Sequence, residues 1–144
     1  MPILNYTTTV DPSKTIGEIY SILSRAGARE ISTEYNNGQV SAIRFVMTHA
    51  EQPLAFRIEP RPDGVLKSMQ RDKVSSAKRS AMQAYRVAWR IMKNAIEAQM
   101  AIFESQQGDI AEVFLPYALD GNGQTLYRAF NETRIKALTA GNGA

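Results

Sequence analysis

Arg79, Arg86, Arg90 and Lys93 follow one another at spacings of seven, four and three residues. On an α-helix that places their cations along one edge over about four turns. Guanidinium and ammonium groups in such a row suit the oxygens of successive phosphates, or the diphosphate of a nucleotide. Lys73 and Lys78, with Lys67 and Arg71, stand just ahead of this edge and could close over the same ligand. From Arg61 to Lys93 nine basic residues face only Asp63 and Asp72, a local balance of +7, so the rest of the chain sums to −4 beneath a net charge of +3. Charge this unevenly placed is how a phosphate-binding surface shows itself. It also describes a solvated helix face, and no recognition motif decides between the two.

No other residues assemble into chemistry. His49 is the single histidine and lies near Glu51, but no serine elbow or metal-ligand spacing completes an acid/base site, so it reads as an exposed turn residue. Glu18, Glu34 and the run Glu59-Pro60-Arg61 distantly resemble the acid and acid-x-lysine pattern of the metal-dependent PD-(D/E)xK nucleases. Here the middle residue is proline and the lysine is arginine, which leaves the converging oxygen ligands of a divalent cation unassured. Glu30 and Glu34 read instead as cross-strand partners of Arg44 and Arg57. No Walker or dinucleotide spacing surrounds Gly17, Gly27 or Gly38. The chain therefore reads as non-enzymatic, with no catalytic residue, metal or cofactor implied. Trp89 and Tyr85 could stack on a base, but their helical spacing among Met82, Met92 and Ile96 suits a core.

These residues need a scaffold, and 144 residues with 44% apolar content fit a single domain with a hydrophobic core. Cysteine is absent, which excludes disulfides and thiolate metal sites. The polar, threonine-rich start resembles no signal peptide, and no apolar run is long enough to span a bilayer. The expectation is a soluble intracellular protein, with no membrane partner.

Residues 3–10 predict a strand, broken by Asp11-Pro12-Ser13. A helix should follow, with Thr15 and Glu18 as a capping box and Gly27 ending it in a left-handed turn. Alternation then predicts strands through Ile31, Thr33 and Tyr35, through Ile43, Phe45 and Met47, and through Leu54, Phe56 and Ile58, with Asn36-Asn37-Gly38 as a tight turn between the first two. The polar connection at 61–76 reads as flexible. A long helix from Lys78 to Glu104, capped by Ser75 or Ser76, leads to a second capping box at Asp109 and Glu112. Asp120 to Gly123 forms a turn, a last helix runs from Thr125 to about Leu138, and 141–144 form a disordered tail. Strands segregated from helices predict one α+β domain over 1–140: a mainly antiparallel sheet of about four strands with one helix, then the long central helix and two shorter ones.

The central helix would measure about 40 Å, longer than so small a domain is wide. It carries a bulky stripe through Met82, Trp89 and Phe103, and a small one that includes Ala84, Ala88, Ile91, Ala95 and Ala98. The small stripe suits close approach of a symmetry mate in a homo-oligomer. Packing within one chain accounts for the same residues.

Tyr6-Thr7-Thr8-Thr9, Lys14-Thr15-Ile16-Gly17-Glu18-Ile19, Arg86-Val87-Ala88-Trp89-Arg90, Glu97-Ala98-Gln99, Phe114-Leu115-Pro116-Tyr117 and Thr125-Leu126-Tyr127 resemble segments of a group of short bacteriophage- and prophage-encoded proteins, over nearly the whole chain. The resemblance implies expression in the bacterial host cytoplasm and a task such as nucleic-acid handling, host takeover or counter-defence. It transfers no functional residue. Two partners follow as expectations: nucleic acid held through phosphate contacts, or, alternatively, a nucleotide signal or host defence protein sequestered by an oligomer.

Overall fold

The computed structural model describes residues 2–133. They run as helix α1 (Pro12–Arg25), strands β1 (Glu30–Asn36), β2 (Gln39–His49) and β3 (Gln52–Ile58), then helices α2 (Pro62–Arg71), α3 (Ala81–Glu104), α4 (Ile110–Phe114) and α5 (Leu126–Thr133). The class is α+β. The sheet has three strands in the order β1-β2-β3, antiparallel throughout.

Its turns follow from local chemistry. Asn37 and Gly38 sit at φ 53° and 78°, the left-handed pair that reverses a chain in two residues. The second hairpin uses Ala50 and Glu51 at φ 51° and 65°, and without glycine this costs about 1–2 kcal/mol per residue. Full-length pairing from Ile43↔Ile58 to His49↔Gln52 offsets it.

Alternation sends Ile43, Phe45, Met47, Phe56 and Ile58 to one face, covered by Ile19, Ile22 and Leu23 of α1, Trp89, Ile96 and Met100 of α3, and Ile110 and Phe114 of α4. The Phe45 and Phe56 rings stack at 5.1 Å, and Phe114 meets them edge-on at 5.7 and 6.0 Å, as ring quadrupoles favour. Trp89 is fully buried here, which removes it from any base-stacking role. Tyr85 is half-buried and its hydroxyl donates to the Val40 carbonyl at 2.7 Å.

Several expectations change. Residues 3–10 form turns rather than a strand, with Tyr6 N bonded to Ile3 O and Thr8 N to Asn5 O. The segment is held by the buried Gln83, whose Nε2 donates to the carbonyls of Tyr6 (3.0 Å) and Thr8 (2.8 Å). The outer edge of β3 is met from the other end of the chain, where Leu119 N donates to Ala55 O and Ala118 bridges Phe56. α1 starts at Pro12 with Asp11 as its cap, the Asp11 carboxylate accepting from Ser13 N at 2.9 Å; Thr15 is buried instead of capping. Gly27, at φ 101°, follows the end of α1 as expected. The basic connection at 61–76 is largely helical. Pro62 at the first turn initiates α2, because its fixed φ suits that position, and Met69 and Val74 pack with Val87 and Ile91 in a second cluster. Ser80, not Ser75 or Ser76, caps α3 by accepting from Gln83 N at 3.0 Å. The Asp109 cap of α4 is present, accepting from Glu112 N at 2.8 Å. The expected stretch of α5 beyond Thr133 and the tail at 141–144 lie outside the described residues.

The small stripe of α3 divides. Ala84 and Ala88 are 1% and 4% exposed within the single chain, and Ile91 packs against the second cluster, so these three serve the chain's own core rather than a symmetry mate. Ala95 and Ala98 are exposed.

Candidate nucleic-acid interface

The basic edge of α3 is not one surface. α1 lies along α3 with Ile19, Ile22 and Leu23 turned into the core beside Trp89, which leaves Glu18 on the flank facing Arg90. Arg90 Nη1 donates to both Glu18 oxygens, at 3.0 and 3.1 Å, and reaches Thr15 Oγ1 at 3.4 Å. Lys93 lies 3.6 Å from the same carboxylate and 3.3 Å from Glu97. The side chains of Arg90 and Lys93 are only 21% and 13% exposed. The Arg90 hydrogen bond, with the charges of Arg90, Lys93 and Lys14, holds the Glu18 carboxyl below its ordinary value against the opposing effect of burial. Two of the four expected phosphate contacts are therefore tied into an α1–α3 ionic clamp.

The residues ahead of them carry free charge. Arg79 and Lys73 are exposed and Lys78 half-exposed, and none has an acidic partner among the described residues. Lys73 follows α2 at φ 56°, Lys78 ends the 3-10 turn Ser76–Lys78, and Arg79 follows it. The three thus sit together on the short connection from α2 to α3. Arg86 is half-buried, its Nη1 donates to Gln83 Oε1 at 3.4 Å, and its Nε is buried without a hydrogen-bond partner among the described residues. Its charge also contributes to lowering the Asp11 carboxyl, mainly set by hydrogen bonds from Ser13. Arg71 differs, being tied to its neighbour Asp72 at 2.9 Å.

The acids of the nuclease-like pattern meet an arginine. Arg57 donates bidentately to Glu34 at 2.8 and 2.9 Å and to Glu59 at 3.3 Å. Glu34 stands opposite Ala42 on the middle strand, and that small side chain lets the pair cross from β1 to β3. The Arg57 hydrogen bonds hold the Glu34 carboxyl low, and Glu34 above all raises the Arg57 guanidinium. The Glu34 carboxylate of β1 and the Glu59 carboxylate just past β3 therefore close on a cation supplied by the chain itself. Glu18 belongs to the α1–α3 clamp instead, and His49 ends β2 before the Ala50-Glu51 turn.

Sequence reasoning placed the cations but missed the division of the edge. Its one signal was Glu18, the single acid of α1. No family model, curated protein or solved structure matches the chain. Among the described residues no helix is long and apolar enough to cross a membrane.

Proposed function

We propose that the protein is a non-catalytic, phage-type accessory factor that binds nucleic acid through its phosphates, using Lys73, Lys78, Arg79 and Arg86. The observation that carries this reading is that these four cations, from the end of α2 to the second turn of α3, have no ion-pair partner among the described residues. Cations set on a turn and a helix start follow a phosphate backbone without reading bases, since sequence readout needs side chains directed at base edges. The phage setting rests on the sequence resemblance. Arg90 and Lys93 are left out because Glu18 and Glu97 compensate their charge.

Fluorescence-anisotropy titration with labelled single- and double-stranded oligonucleotides tests the reading. Four phosphate contacts imply a roughly hundredfold loss of affinity between about 50 and about 200 mM salt, through counterion release. Absence of binding at the lower salt overturns it.

A further inference from the structure

Away from the basic edge, a cleft of about 930 Å³ opens between the end of β3, Met92 of α3, and the turn leading into α5. That volume lies within the range of about 300–1,000 Å³ typical of small-ligand sites. Three arginines line it, Arg57, Arg61 and Arg128, with Glu59 as the one acid. Arg57 is shared by Glu34 and Glu59, a trio that carries one negative charge in excess. Arg61 and Arg128 are exposed and make no ion pair among the described residues, so the cleft presents two guanidinium groups without a carboxylate partner there, contributed by segments 67 residues apart in sequence. Tyr117 and the half-exposed Tyr127 add two aromatic rings to the same lining.

The wall carrying Arg128 and Tyr127 is well supported. Asp120 accepts from Asn122 N at 2.8 Å and from Gln124 N at 3.0 Å, and Gly123, at φ 76°, completes that turn. The Thr125 hydroxyl accepts from Arg128 N at 3.2 Å at the start of α5. Leu119 and Thr125 bridge across the turn, and Leu119 N bonds Ala55 O of β3. The sheet and α5 thus hold the two walls in register.

Paired free guanidinium groups bind a phosphate through charge-assisted hydrogen bonds, and tyrosine faces accept a planar ring. We propose that this cleft binds a nucleoside phosphate, with Arg61 and Arg128 on the phosphate and Tyr117 and Tyr127 against the base. The ligand is either a free mononucleotide or the phosphorylated 5′ end of a strand. The site uses none of the residues assigned to backbone binding above, so the two readings stand or fall separately.

Thermal unfolding of the full chain is followed with AMP, GMP, CMP and UMP, with the matching nucleosides, with inorganic phosphate, and with a dinucleotide bearing or lacking a 5′-phosphate. A rise in Tm of roughly 5 °C is expected at about ten times Kd. If the mononucleotides give it, the ligand is free nucleotide; if only the 5′-phosphorylated dinucleotide does, the ligand is a strand end. Arg61→Ala with Arg128→Ala removes exposed, unpaired side chains, and it should leave the unliganded Tm within about 1 °C and weaken nucleotide affinity at least tenfold, as charge-assisted bonds imply. Tyr127→Leu should weaken nucleotides and leave phosphate alone unaffected. Replacing Lys73, Lys78, Arg79 and Arg86 by alanine should keep the nucleotide response. No shift with any phosphate ligand at millimolar concentration, an equal shift with the nucleosides, or an undiminished shift in the double-arginine variant overturns the proposal.

Discussion

Two stretches of the basic sequence, similar in composition, meet different surroundings. Arg90 and Lys93 lie on the second half of the edge, where α1 runs alongside and presents Glu18 at 3.0 and 3.6 Å. Lys73, Lys78 and Arg79 lie where the chain turns from α2 into α3, and no carboxylate of the described residues answers them. A cation held by a neighbouring acid is a packing element; one left in water is available to a polyanion. Local net charge does not distinguish them, because the compensating acid lies 72 residues away in sequence from Arg90.

The largest effect is expected on binding. Alanine at Lys73, Lys78, Arg79 and Arg86 together should reduce oligonucleotide affinity by two orders of magnitude or more at low salt, each lost contact removing about 0.9 from the slope of log K against log salt. Glu18→Gln should act in the opposite direction. It frees Arg90 while Lys93 keeps Glu97, so affinity should rise roughly threefold and the slope steepen by about one, as anisotropy titrations of the purified variant would show. Arg90→Ala should leave binding unchanged and lower stability by about 1 kcal/mol, near the upper end for a partly exposed pair, seen as a fall of roughly 4 °C in calorimetric Tm.

The smallest effect is on pH dependence. The Glu18 carboxyl is depressed in the folded protein, so its contribution is fully present above the unfolded value and is lost as pH falls through the folded one. Acid titration of stability should therefore fall below about pH 4.5, and Glu18→Gln should flatten that fall by under about 1 kcal/mol after solvent screening. An unchanged acid limb would remove Glu18 from the clamp.

Most of the scaffold could be read in advance where local chemistry decides it. The Asn37-Gly38 hairpin, the Gly27 stop and the Asp109 cap are all visible in a few neighbouring residues. The errors arise where a distant partner decides. Residues 3–10 have strand composition, yet Gln83 captures the carbonyls of Tyr6 and Thr8, while Ala118 and Leu119 meet the β3 edge. α2 was hidden by Pro60, Pro62 and Gly64, although Pro62 stands at a position where proline starts a helix. At the candidate site the cations were legible singly, but Glu18 reaching Arg90, and Arg61 and Arg128 lining one cleft, are products of tertiary packing.

The central claim is that phosphate binding belongs to the unpaired cations alone. Anisotropy titrations of one labelled duplex across a salt series, for wild type, the Lys73/Lys78/Arg79/Arg86 alanine variant and an Arg90→Ala, Lys93→Ala variant, address it most directly. The expected result is a salt slope that falls by about three to four in the first variant and stays at the wild-type value in the second. A slope that falls in the Arg90, Lys93 variant while the first variant binds like wild type would contradict it.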